Sequence, residues 1–255
     1  MSLSSLNRGL KILTMIADSG RMRVDEVASA LDIPPSSAYR YIKLFRETDY
    51  LYELDGYYYP GVRVSSRDEQ TEKQHLVEVA APVLNRLCSR SGETVILTVR
   101  VQMAALCLER LSPRRADALS FYRGSVRPLH AGASATALLA YAPADVVATV
   151  EKGGMRKFTA VTPDASRLKV LLPAIRSNGF SVSEGEVDPF MVAVAAPVFR
   201  HGHCICAVSI AGRQQRLSGQ RLDDAVELVC NAAAELGHEL ETAAGSAAWM
   251  TEEGW

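Results

Sequence analysis

The sequence predicts an α+β protein in two parts. A small helical domain closed by a hairpin comes first, and a larger domain built on one antiparallel sheet follows. Three observations predict this. Residues 24–45, VDEVASALDIPPSSAYRYIKLF, hold two short apolar periods of helical spacing split by a proline pair. Residues 50–60, YLYELDGYYYP, center on Asp55-Gly56. After residue 92, apolar β-branched runs precede helical stretches, then two more strands and a closing helix. That order suits a single sheet with helices packed on it.

Leu3, Leu6, Leu10, Leu13 and Ala17 give a first helix that ends at Gly20. Val24, Val27, Ala28 and Leu31 fall at i, i+3, i+4 and i+7, so they share one face of a second helix. Pro34 and Pro35 forbid its continuation. Ser36 or Ser37 is expected to cap a third helix by accepting a free first-turn N–H. In that helix Ala38, Ile42 and Phe45 form the buried stripe, and Ser36, Ser37, Tyr39, Arg40, Lys43 and Arg46 lie outside it. Residues 36–46 carry three cations and no acid. Two short helices, the second with hydroxyls at its start and cations along its exposed side, fit a helix-turn-helix that reads DNA. An ordinary helical hairpin with a solvated charged face fits the same pattern. Asp55-Gly56 suits a two-residue turn at positive φ. It places Leu54 opposite Tyr57, Glu53 opposite Tyr58 and Tyr52 opposite Tyr59. A hairpin directly after the third helix would be a wing. Its tyrosines could touch DNA (Tyr58 among them) or pack the hairpin onto the helices.

Residues 65–74, SSRDEQTEKQ, are polar and mark a boundary. Leu76, Val79, Ala80, Val83 and Leu87 recur at helical spacing, with Pro82 inside the pattern starting a new helix or kinking this one. Residues 94–101 and 104–111 read as two strands, and 119–122 as a third. Residues 131–141, 144–150 and 165–178 read as helices, 192–199 and 204–211 as antiparallel strands, and 222–242 as the last helix. The expected divisions are 1–66, a connector at 67–91, 92–243, and a disordered tail at 244–255.

The chain has 255 residues, 48% of them apolar, and a net charge of −1. Residues 1–66 hold eight cations against eight acids. Contact with a polyanion would therefore come from the placement of charge on one face, with two copies binding together. No signal-like apolar region or transmembrane-length run is present. Five cysteines without a CxxC pair read as reduced thiols in a cytoplasm. No internal repeat, nucleophile elbow or phosphate-cradling glycine loop is found. His201, His203, Cys204 and Cys206 are zinc-ligand types, but His203 and Cys204 would point to opposite faces of a strand, so a structural thiol pair with turn histidines is expected. Neither a metal nor a cofactor is expected, and no enzymatic activity.

SLNRGLKILTMIADSG, DIPPSSAYRYIKLFRETDYL and the tyrosine-rich hairpin resemble the N-terminal winged helix of IclR-type bacterial transcription regulators. GETVILTV, RPLHAGASATALLAY, SNGFSVSEGEVDPFMVAVAAPVF and AVSIAG resemble the effector-binding half of that family. The resemblance covers about residues 3–240. It implies a winged helix-turn-helix followed by a GAF-like antiparallel-sheet domain that binds an effector. It also implies double-stranded operator DNA, a small-molecule effector and a homodimer or tetramer as partners, without a membrane. Arg8, Ser36, Ser37, Tyr39, Arg40, Lys43, Arg46 and Tyr58 would contact DNA.

On the predicted strands Ala193, Ala195, Ala207, Ser209 and Ala211 build one face from small residues, which leave room for a pocket or for tightly packed helices. The resemblance roofs a pocket there with the loop 130–135. His130, Gly132, Ala133, Ser134 and Ala135 would come from that loop, Ser183 and Glu184 from the segment after Gly179, and Ala193, Ser209 and Ala211 from the strands. Ser183 and Ala193 stand where the family often has an acidic residue and Cys. Ala211 stands for Ser, and Ala135-Thr136 for Gly-Lys. About half of the expected polar contacts are thus absent, which favors a larger or more apolar ligand than a two-carbon acid, such as an aromatic or hydroxy acid. The alternative is a small-molecule sensor or enzyme whose N-terminal module mediates protein contacts.

Overall fold

The computed structural model describes residues 3–54, 56–64, 67–114 and 119–243. The chain folds as two compact units, the first ending at residue 71 and the second beginning at 72. The tail expected to be disordered and the turn residue Asp55 lie outside the described residues.

The first unit contains α1 (Leu3–Ser19), α2 (Val24–Leu31), α3 (Pro35–Glu47), β1 (Leu51–Leu54) and β2 (Tyr57–Pro60). In α1 the face turned inward is Gly9, Ile12 and Ile16, whereas Leu6 and Leu10 are more than half exposed. Gly9 faces α3, where a Cβ would meet the Phe45 and Tyr41 rings at 3.4 and 3.5 Å, ordinary packing distance. In α2 the Arg23 N–H donates to the Glu26 carboxylate at 2.6 Å, closing the first turn. Asp32, in the left-handed region at φ 50°, ends it. The expected serine cap of α3 is absent. Helix α3 starts two or three residues earlier, with Pro34 at the N-cap and Pro35 at the first helical position, where a missing N–H costs nothing. Ala38, Tyr41 and Ile42 are buried with Ile12, Ile16, Val27, Leu51 and Tyr58 in one core. Strands β1 and β2 pair in the expected register, Leu54 with Tyr57, Glu53 with Tyr58 and Tyr52 with Tyr59. The Tyr52 and Tyr59 rings stack at 5.1 Å. An isolated bridge joins Tyr58 to Met22, through N–H to O bonds of 2.8 and 3.0 Å.

The second unit holds most of α4 (Arg67–Ser91), one unbroken helix through Pro82. Strands β3 (Thr94–Val101), β4 (Ala104–Leu111), β5 (Val126–Pro128), β6 (Ser181–Glu184), β7 (Met191–Arg200) and β8 (His203–Arg213) form one antiparallel sheet in the order β5-β4-β3-β8-β7-β6. The third strand expected at 119–122 lies instead at Val126–Pro128. Strand β6 follows Gly179, where no strand was expected. On one face, α4 and α8 (Gln220–Ala243) bury Leu76, Val83, Leu87, Val229 and Leu236 against Val95, Leu97, Val194, Val208 and Ile210. The other face carries α5 (Ala133–Ala140), α6 (Ala144–Lys152) and α7 (Ala165–Asn178) against Ile96, Ala105, Ala195 and Ala207. Helix α7 opens on Asp164, whose carboxylate accepts the Arg167 N–H at 2.9 Å, and closes on Gly179 at φ 78°.

The strict alternation expected along 204–211 fails near its start. A bulge between Val198 and Phe199 pairs Val198 with Cys206 and Phe199 with Cys204, leaving Ile205 extra. Cys204 therefore packs on the side of α5 to α7, and Cys206 on the opposite side. All five cysteines are free thiols. Burial pushes the Cys107 and Cys204 thiols up to about 12. His201 and His203 are exposed at the β7–β8 turn, and no metal-binding cluster occurs among the described residues.

The first residue of the sheet domain, Glu93, is 7% exposed, and its two carboxylate oxygens accept Nε and Nη2 of Arg216 at 2.7 Å each. Gly212 lets this bidentate pair sit against β8, since a Cβ there would lie 2.5 Å from the Glu93 Oε2. Arg216→Ala would leave a buried carboxylate unpaired. Because Arg216 itself is 38% exposed, the expected loss is about 1–3 kcal/mol rather than the larger cost of a fully buried pair. The melting point of the variant, measured against wild type, checks this. A drop of about 2–4 °C per kcal/mol is expected for a unit of this size.

Candidate functional site

Two sets of functional side chains were expected, and each unit carries one. On α3, burial of Ala38, Tyr41 and Ile42 turns the opposite side outward. Ser36, Tyr39, Arg40 and Lys43 are exposed there, with Ser37 half-buried. Positions 36, 40 and 43 recur at three- and four-residue spacing, so they line one side of the rod. Arg40 has no ion-pair partner among the described residues. Lys43 lies 3.9 Å from Glu47 in an exposed pair, which holds it weakly. Arg46 is less free, because its guanidinium pairs with Glu53 on β1. Arg8 is exposed on α1.

Tyr58 does not belong to this face. It is 4% exposed and packs in the core of the first unit, because its pairing with Met22 turns that strand position inward. Tyr57 is the wing residue over which charge gathers. Arg21 and Arg23 lie 4.6 and 4.4 Å from its ring center, making a cationic platform beside the hairpin. Sequence reasoning missed these two arginines. They precede α2 outside any helical period, and only the fold brings them to Tyr57.

In the second unit a cavity of about 60 Å³, partly open to solvent, lies between the sheet and the start of α5. Of the expected residues, Gly132, Ala133, Ser134, Ser183, Ala193, Ser209 and Ala211 line it. His130, Ala135 and Glu184 do not. The His130 Nε2 is 2.9 Å from the Arg156 carbonyl, and Ala135 is fully buried within helix packing. Glu184 is exposed because β6 alternates, and Ser183 faces inward beside it. Two acids line the cavity instead, Glu186 and Asp188. Asp188 is half-buried and its Oδ1 accepts the Phe190 N–H at 3.0 Å, whereas Glu186, which on sequence alone reads as well as a solvated loop residue, is the buried one. It is 5% exposed, and its Oε2 accepts the Gly132 N–H at 3.0 Å. Burial raises its pKa above the usual carboxylate range, while the Gly132 N–H and the Ser183 hydroxyl oppose that rise.

The loop bearing Glu186 is pinned from behind. The Thr159 hydroxyl donates to the Gly185 carbonyl at 2.7 Å, and the Thr162 hydroxyl to the Glu186 carbonyl at 2.6 Å. The Thr136 and Ser181 hydroxyls, 2.8 Å apart, tie α5 to β6. The Ser209 hydroxyl reaches the Ile96 carbonyl at 3.4 Å.

Arg127, on β5, also lines the cavity. Its guanidinium carbon lies 4.1 Å from the Phe121 ring center, and Nη2 is 3.4 Å from the Ser120 hydroxyl. Burial lowers its pKa to about 10, so it stays charged at neutral pH. Phe121, Ile96, Met191 and Val192 supply apolar wall. Side chains of both signs thus meet small and apolar ones, as in an organic-ligand site.

Residues 5–55 match the model of the IclR helix-turn-helix domain, and residues 69–238 match that of the bacterial transcriptional regulator IclR C-terminal domain. The chain belongs to the IclR family of transcriptional regulators. Among its IclR relatives, the HTH-type transcriptional regulator BhcR of Paracoccus denitrificans is 30% identical over 254 residues, which cover 92% of this chain and 86% of that protein. The HTH-type transcriptional repressor AllR of Escherichia coli K12 is 28% identical over 243 residues, covering 92% and 90%. The fold matches a crystal structure of an IclR homolog from Microbacterium hydrocarbonoxydans complexed with 4-hydroxybenzoate. The TM-score is 0.66 at 24% identity, over 93% of this chain and 99% of that one. The Thermotoga maritima IclR structure matches with TM-score 0.65 at 23% identity, over 94% and 100%. These families and relatives are regulators, not enzymes.

The raised Glu186 pKa has a sign that stability measurements can read. Between the ordinary carboxylate pKa of 4.5 and its raised folded value, the folded state binds more proton than the unfolded one. This group's contribution to stability therefore falls as pH rises through that window. Glu186→Gln keeps an acceptor for Gly132 and removes the charge. The variant is expected to gain melting temperature relative to wild type at neutral and alkaline pH, with the gain vanishing toward pH 4.5.

Proposed function

We propose that this IclR-family regulator places α3 in the major groove of operator DNA and answers to a small organic acid bound in the cavity of its second unit. The observation that carries the proposal is the split of α3 into a buried side and an exposed side bearing Ser36, Tyr39, Arg40 and Lys43. Ser36, Ser37 and Tyr39 would bond phosphates or base edges, and Arg40 and Lys43 phosphates or guanine. Arg8 and the Arg21–Arg23–Tyr57 platform would meet the backbone.

A homodimer or tetramer would set two copies of α3 on half-sites one helical turn or a multiple apart. The exposed Leu6 and Leu10 on α1 support assembly through a second copy. No helix among the described residues is long and apolar enough to cross a membrane. We place the protein in the cytoplasm, where its DNA would be.

The proposed effector is a hydroxy or aromatic acid. A cavity of about 60 Å³ holds roughly four to six water-sized groups. A short hydroxy acid matches that size as the walls stand. An aromatic acid such as the 4-hydroxybenzoate bound by the Microbacterium homolog would need Met191, a flexible side chain, to give way. The effector would act only through different affinity for the DNA-competent and DNA-incompetent arrangements.

Gel retardation of the DNA upstream of the protein's own gene tests the first half. Arg40→Ala is expected to weaken it by roughly 1–3 kcal/mol with an unchanged melting point, since Arg40 is exposed and unpaired. Equal retardation by wild type and variant would remove α3 from the duplex.

A further inference from the structure

We propose that Arg127 anchors the ligand carboxylate, and that Glu186 takes a hydrogen-bond donor of the same ligand, so that the pocket selects hydroxy or amino acids over plain acids. This deepens the effector-site reading above and rests on it.

The N-terminus of α5 is the obvious place for an anion in this cavity, since its first N–H groups have no helical partner. In this chain that place is already taken. The Glu186 carboxylate accepts the Gly132 N–H, and the Ser183 hydroxyl supports it. A second carboxylate brought here would face a like charge in a poorly solvated site. What Glu186 can accept instead is another donor, because a carboxylate has about four acceptor positions and only two are in use.

Arg127 offers the opposite chemistry. Among the described residues no carboxylate pairs with it. It lies over the Phe121 ring face and makes a long bond to the Ser120 hydroxyl. Stacking on Phe121 holds the guanidinium plane and leaves most of its five donors unused. The group sits beside the start of α5, because a Cβ on Gly132 would come 3.0 Å from Nη1. The fork therefore stands at the cavity wall beside Gly132, whose N–H is bonded to Glu186. One end of the cavity presents a planar cation matched to a carboxylate, and the other a carboxylate matched to a hydroxyl or ammonium.

The test uses the full-length chain with glycolate, L-lactate and 4-hydroxybenzoate as probes. Each is paired with its own amide and with the acid lacking the hydroxyl (acetate, propionate, benzoate). Thermal shift and calorimetry give affinities for wild type, Arg127→Gln, Arg127→Lys and Glu186→Gln. At least one hydroxy acid is expected to bind wild type while its amide does not. Arg127→Gln should weaken that acid roughly ten- to hundred-fold, the loss of a charge-assisted contact. Arg127→Lys, which keeps the charge without the fork, should fall between. Glu186→Gln should narrow the preference for the hydroxy acid over the plain acid several-fold.

Equal binding of acid and amide would overturn the proposal. So would undiminished binding by Arg127→Gln, or no binding by any acid at millimolar concentration. Retardation of upstream DNA without ligand is run on all four proteins. If it is intact while the ligand results go the wrong way, the anchor alone has failed. If wild type does not retard DNA, the regulator reading has failed instead.

Discussion

The constraint on which the second unit depends is the unequal filling of its sheet. On the face toward α4 and α8, valine, leucine and isoleucine side chains pack into one continuous core. On the face toward α5, the same strands present Ala193, Ala195, Ala207, Ser209 and Ala211. Side chains of that size cannot reach the opposing helix everywhere, and the shortfall is the cavity. The walls stay in place because the hydroxyls of Thr136, Thr159 and Thr162 hold α5, β6 and the Glu186 loop by hydrogen bonds rather than by bulk. The ion pair of Glu93 and Arg216 does similar work where β3 begins.

The first unit solves the opposite problem. Its small core must orient one exposed helix. Ile12, Ile16, Val27, Ile42 and Tyr58 are all nearly or fully buried. The Met22–Tyr58 bridge fastens the hairpin to the chain ahead of α2. The same bridge that removes Tyr58 from the surface brings Tyr57 under Arg21 and Arg23.

Much of this was legible in the residues. The helical periods on either side of Pro34-Pro35, the Asp55-Gly56 register and the small-residue strands were all readable from spacing, because each is a local pattern. The misses share a cause. Leu6 and Leu10 carry the apolar period of α1, yet Gly9, Ile12 and Ile16 face inward, because the side that packs is set by the Tyr41 and Phe45 rings of α3, which spacing within α1 does not encode. The Ile205 bulge reversed the expected faces of Cys204 and Ile205, since an inserted residue leaves no compositional trace. Glu184 and Glu186 differ by two positions in a segment where the chain leaves a strand at Gly185, φ 67°, and no alternation predicts which one turns inward. Arg127 stands just before the loop 130–135, and its placement depends on Phe121, six positions earlier.

The charge balance of the first 66 residues, eight cations against eight acids, carries one more consequence. Release of condensed counterions drives association with any duplex, and it scales with the number of phosphates neutralized. A domain whose Arg46 already pairs with Glu53, and whose cations are matched in number by acids, would gain little from random sequence. The rest of the chromosome is then a poor sponge for such a protein. A cognate site would then compete against a weak background, and selectivity would rest on the contacts that only that site completes.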